Sequence, residues 1–156
     1  MTWHFETDPE FQKQLDWIDE FVREEIEPLD FIITSPYDLD DPVRNDIIKP
    51  LQKQVQEREL WACHLGPDLG GPGYGQVKLA LMNEILGRAR CAPTVFGTQA
   101  PDTGNSEILA HFGTPEQKEQ FLAPLLRNEI VSCYSMTEPQ GGADPKVFQT
   151  TAIQDG

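Results

Sequence analysis

Residues 8–26 read DPEFQKQLDWIDEFVREEI, and their periodicity decides the fold class. Asp8-Pro9 is a helix start, a side-chain oxygen at the cap followed by a proline where its missing N–H costs nothing. Phe11, Leu15, Ile18, Val22 and Ile26 then recur every three or four residues, which places them on one stripe of a helix that Pro28 is expected to end. Asp41-Pro42 repeats the start, and Val43, Ile47, Leu51 and Val55, broadened by Ile48, predict a second stripe.

Downstream the same pattern continues between loops. Gly66–Gly75, GPDLGGPGYG, is a loop by composition. A third helix is predicted from about Gln76 to Ala89 with Leu79, Met82, Ile85 and Leu86 inward. A fourth carries Ile108, Leu109 and Phe112 on its inner face and stops at Gly113. Thr114-Pro115-Glu116-Gln117 is a capping box opening a fifth helix with Phe121, Leu122, Leu125 and Leu126. Only after Asn128 does the period change. Ile130–Thr137 and Val147–Ile153 are β-prone and flank a Pro139/Gly141-Gly142 turn. The expected architecture is mainly α: an antiparallel helical bundle over residues 1–128, then one or two strands of a truncated β-domain over 129–156.

Composition excludes several functions. The formal net charge is -14, and ten acidic residues lie between Glu6 and Asp30 against Lys13 and Arg23 alone. Such a face repels nucleic acid and reads as a solvated helix surface ahead of a docking site for a basic partner. No apolar run approaches the roughly 18 residues of a membrane span. Cys63, Cys91 and Cys133 show no CxxC pairing, and the start lacks a basic or Arg-rich leader, so a cytoplasmic setting is expected. Cys63-His64 are adjacent and unsupported by further ligands, which argues against a metal site or a Cys/His nucleophile. Gly71–Gly75 lacks the GxGxxG spacing and contains a proline, so it is a poor phosphate cradle. His111, near a helix end, has an ordinary structural reading.

The stretch with chemical promise is Tyr134–Pro145, YSMTEPQGGADP. A strand ending in consecutive glycines exposes backbone N–H groups that a planar or anionic ligand can approach. From the residues alone, a ligand-binding turn and a plain β-turn stand about equal.

Tyr134, Thr137, Glu138, Pro139, Gly142 and Asp144 match a (Y/F)-x-x-T-E-P-x-x-G-S-D signature, which resembles that of the acyl-CoA dehydrogenases. Leu60-Trp61 with Pro67 and Leu69-Gly70-Gly71-Pro72-Gly73 is similar to the family's helix-to-loop segment, and Phe112–Lys118 with Phe121–Leu125 to its FGTEEQK…LPPL segment. Glu129-Ile130 and Thr150–Ala152 also fall where the family has them.

The resemblance implies FAD as cofactor, oxidation of an acyl-CoA thioester between Cα and Cβ in fatty acid metabolism, an electron-transfer flavoprotein as acceptor and a tetrameric assembly. It implies flavin contacts from Tyr134, Met136, Thr137, Gly142 and Ala143, and acyl-chain contacts near Val95–Ala100, with Phe96 and Ala100 as substrate-side candidates together with Ala143. Alanine stands at 143 where the family often has serine, which removes one hydrogen bond there. No residue of this chain corresponds to the catalytic glutamate, so the chain is expected to be an N-terminal portion, inactive alone. The alternative is a stand-alone helical interaction module derived from this family that binds no flavin.

Overall fold

The structure, a computed structural model, describes residues 7–69 and 71–155. Gly70 of the glycine-rich loop and residues 1–6, on which part of the leader and acidic-run readings rest, lie outside the described residues.

Helix α1 spans Pro9–Phe21, with the Asp8 carboxylate accepting from the Phe11 N–H. It runs on through a π-helical turn, Val22–Ile26, into a 3-10 turn, Glu27–Phe31. Pro28 therefore does not stop the coil; it occupies the first turn of the 3-10 segment, where a proline removes no needed donor. All five stripe residues from Phe11 to Ile26 are buried, as the spacing requires.

Helix α2, Pro42–Glu57, is turned relative to the expectation. Val43 is 54% exposed, and the buried face is Arg44, Ile48, Leu51, Gln52 and Val55. Polar residues win inward positions because each finds partners there. The Arg44 guanidinium donates to the Pro36 carbonyl at 2.9 Å and to Asn128 Oδ1 at 2.9 Å. Gln52 Nε2 donates to the same Asn128 oxygen at 2.9 Å and to the Thr94 carbonyl at 3.1 Å.

Helix α3, Gly75–Leu86, buries Met82 and Leu86 against α1, with Leu79 and Ile85 partly buried on the same core. It ends at Gly87, short of the predicted Ala89. Helix α4, Ala92–Val95, packs on α2 and brings Val95 and Phe96 wholly inside. Gly97 follows with φ +65°, and a side chain there would meet the Trp61 ring at 2.7 Å, so this position requires glycine on both counts.

Helix α5, Asp102–Phe112, is a second correction. Its inward residues are Asp102, Ser106 and Ala110, whereas Ile108 and Phe112 face solvent. Again the partnered polar side chains take the inner face. The capping box forms as predicted, with Gln117 N–H on Thr114 Oγ1 at 3.3 Å and Thr114 N–H on Gln117 Oε1 at 2.9 Å. It opens α6, Pro115–Gln117, which continues through a π-helical turn, Lys118–Leu122, into α7, Ala123–Leu126. Leu125 is buried there, Leu122 and Leu126 are half-buried, and Phe121 points largely outward.

The two expected strands do not form among the described residues. Ile130 lies in a bend and Val131–Thr137 has no regular structure, the single bridge joins Glu138 to Gly141, and Pro145–Val147 is a 3-10 turn. A strand is stable only when a neighbour takes its N–H and C=O groups, and none of the described residues supplies one. The protein is mainly helical, and its core lies entirely before Glu129.

Part of the acidic run is used internally. Asp19 pairs with Arg88, and Asp30 accepts from the Arg90 and Cys91 N–H groups at 2.7 and 3.1 Å. No helix among the described residues is long and apolar enough to cross a membrane.

Candidate functional site

The candidate residues cluster on the segment that leaves the helical body after Asn128. Asn128 itself turns the chain at φ +51°, a conformation asparagine tolerates, while its side chain is tied to α2. Tyr134 and Met136 are 60% and 55% exposed, and Thr137, Gly142 and Ala143 are exposed as well.

The turn is closed by a reciprocal pair, Glu138 N–H to Gly141 O and Gly141 N–H to Glu138 O, both 3.1 Å. This brings Thr137 and Gly142 together: a Cβ built on Gly142 would stand 3.0 Å from Thr137 Cγ2 and 3.3 Å from its hydroxyl. Glycine at 142 thus leaves the Thr137 hydroxyl open.

Glu138 binds the tail that follows. Its carboxylate accepts from the Gln149 and Thr150 N–H groups at 2.8 and 2.9 Å and from the Gln140 amide. Hydrogen bonding from the Thr150 side chain, then from these backbone groups, lowers its pKa to about 2. It is an acceptor with its capacity engaged, and so a structural group.

Among the described residues, the backbone N–H groups of Cys133 to Thr137 donate to no protein acceptor. Free amides, an open threonine hydroxyl and a glycine turn form an edge suited to a flat, hydrogen-bonding ring system. The substrate-side candidates are placed differently. Phe96 is completely buried, its ring 6.2 Å from that of Phe21, and Ala100 is exposed.

The model for "Acyl-CoA dehydrogenase, N-terminal domain" matches residues 8–129. The chain belongs to the acyl-CoA dehydrogenase family. It is 40% identical over 111 residues to acyl-CoA dehydrogenase family member 11 of Mus musculus, covering 70% of this chain and 14% of that protein. It is 38% identical over 138 residues to the Pongo abelii protein of the same name, covering 82% of this chain and 17% of the relative. A solved structure from Mycobacterium abscessus, assigned as an acyl-CoA dehydrogenase, superposes with a TM-score of 0.75 at 30% identity, covering 91% of this chain and 38% of that one. The chain therefore spans only a minor part of the acyl-CoA dehydrogenase relatives it matches.

Cys63 and His64, which the sequence argued against as a metal or nucleophile pair, are both shaped by burial. The Cys63 thiol is pushed up to about 12 by its apolar surroundings, so it stays protonated at neutral pH. His64, lowered by burial against a smaller opposing effect of Glu107, contacts Ser106 Oγ through Nε2 at 3.3 Å.

Sequence reasoning missed Asp102, Asn105 and Ser132. Ser132 N–H and Oγ both reach Asp102 Oδ1, at 2.8 and 2.5 Å, and Asn105 Nδ2 reaches Ser132 Oγ at 2.8 Å. The available signal was the polar cluster Asp102–Asn105 at a helix start, where a carboxylate reads as a cap. Here it caps nothing and bonds across a separation of 30 residues instead.

Proposed function

We propose that this chain is the flavin-contacting N-terminal portion of an enzyme that oxidises acyl-CoA thioesters between Cα and Cβ, with FAD as cofactor. The observation that supports this reading is the exposed edge Tyr134–Ala143, with unpaired backbone donors beside Thr137 and a glycine where a side chain would cover that hydroxyl. Family membership supplies the chemical class.

The residues present fit such a cofactor. Met136 would offer its backbone, Thr137 its hydroxyl and Gly142 the clearance, with Tyr134 and Ala143 flanking. FAD, when bound, supplies the hydride acceptor. The chain's own contribution is to bind and orient the ring on an edge braced by the Glu138 turn. Proton removal from Cα needs a positioned base, and no carboxylate here is assigned that role. An electron-transfer flavoprotein as acceptor and a tetrameric assembly belong to the same proposal.

The test is flavin content of the full-length protein, measured by absorbance after gel filtration. Thr137→Val keeps shape and removes the hydroxyl, so affinity should fall by about 0.5–1.5 kcal/mol. Gly142→Leu should lose flavin outright. Full flavin retention in Gly142→Leu would remove this turn from the cofactor site.

A further inference from the structure

We propose that Asp102 is a positioning residue for the flavin-contacting edge: from the first turn of α5 its carboxylate fixes the chain at Ser132 and so sets where Tyr134–Gly142 stands. The inference rests on the flavin reading above and names the group that orients that site.

Asp102 is buried, 8% exposed, and is engaged at both oxygens. Oδ2 accepts from Gln99 Nε2 at 2.8 Å, and Oδ1 accepts from the Ser132 N–H at 2.8 Å and the Ser132 hydroxyl at 2.5 Å. Asn105 Nδ2 donates to that hydroxyl at 2.8 Å, which completes its partners. A buried carboxylate is costly unless its lone pairs are met. Here three donors and the positive end of α5 meet them.

A cap for α5 would be the simpler role, but its geometry is absent. Asp102 accepts no first-turn N–H of its own helix; Thr103 and Asn105 donate instead to the Gln99 and Pro101 carbonyls. The carboxylate is directed at the departing segment. There it stands alone: among the described residues, Ser132 N–H is the one backbone donor from Ile130 to Thr137 with a protein acceptor. Two residues further on, the Tyr134 hydroxyl lies over Gly104 of the same turn, where a Cβ would stand 2.6 Å from it. The first turn of α5 therefore meets the segment at Ser132 and at Tyr134, five and three residues before Thr137.

The experiment uses the full-length protein with its flavin and compares Asp102→Ala, Asp102→Asn and Ser132→Ala with wild type. Three readouts are taken: exchange of the Ser132 amide, flavin affinity, and the absorbance spectrum and reduction potential of the bound flavin. Asp102→Ala should speed Ser132 exchange and weaken flavin binding, each on the order of tenfold, and shift the potential. Asp102→Asn should restore most of both, because its carbonyl can still accept from Ser132 and, once the Gln99 side-chain amide turns over, its own amide can donate to Gln99 Oε1, a buried atom without a partner. Ser132→Ala keeps the backbone bond, should give a smaller loss in the same direction, and serves if Asp102→Ala does not fold.

Unchanged Ser132 exchange in Asp102→Ala would overturn the anchor while leaving the flavin reading intact. Faster exchange with flavin affinity and potential unmoved would overturn the positioning role. Equal damage from Asp102→Asn would show charge acting in place of geometry and overturn it too. A full-length wild type that holds no flavin would instead sink the functional reading, and this role with it.

Discussion

Glu138 is a half-buried surface residue with the electrostatics of a constrained one. Its pKa is lowered from 4.5 to about 2 by hydrogen bonds from Thr150, Gln149 and Gln140. Because the folded value lies below the free one, the bound tail is favoured fully above about pH 4.5, and that preference is lost as pH falls towards 2. An NMR titration of the Glu138 side-chain carbonyl carbon should give a midpoint near 2, with the Gln149 and Thr150 amide shifts following the same curve. A midpoint near 4.5 would mean that the tail is not held by this carboxylate. At this scale the sequence was legible where a motif is local: Thr137, Glu138 and Gly142 come together within one turn. It was not legible for Asp102, whose partner lies 30 residues away and whose position at a helix start imitates a cap.

Among the elements, α2 separates pattern from partnership. Its apolar residues satisfy two overlapping stripes, one through Val43 and Ile47 and one through Ile48, Leu51 and Val55. Counting apolar positions cannot choose between them. The choice is made by Arg44 and Gln52, which enter the core because Asn128, Pro36 and Thr94 present acceptors to them. Those acceptors come from outside the helix, two of them from elements far along the chain, so no local window contains the information. Leu51→Ala should cost about 2–5 kcal/mol in urea unfolding through transfer and cavity terms. Val43→Ala, at an exposed site, should stay within about 0.5 kcal/mol. Arg44→Ala should be costly as well, since it leaves the buried Pro36 carbonyl without its donor, at about 1–3 kcal/mol, while Asn128 Oδ1 keeps only the bond from Gln52. A Val43→Ala loss equal to that of Leu51→Ala would restore the stripe read from periodicity.

At the scale of the molecule, the buried residues and the candidate site are contributed by different stretches. Every buried apolar residue lies at or before Leu125, and no described residue from Glu129 onward is buried. The helical body therefore draws its hydrophobic stabilisation from itself, while the following segment is attached through Ser132 and Tyr134. The β-prone alternation after Asn128 was readable, but a strand needs a partner, and pairing is a property of the neighbours. A truncation ending at Glu129 should consequently keep one cooperative thermal transition. What it gives up is chiefly the hydrogen bonding of Ser132 to Asp102 and Asn105, at about 0.5–1.5 kcal/mol for each net bond. For a chain of about 150 residues each kcal/mol corresponds to a Tm change of about 2–4 °C, so the transition should move down by several degrees and remain sharp. Circular dichroism on heating measures both quantities together. A broad, non-cooperative melt in the truncated protein would show that the exposed segment carries folding information that burial does not reveal.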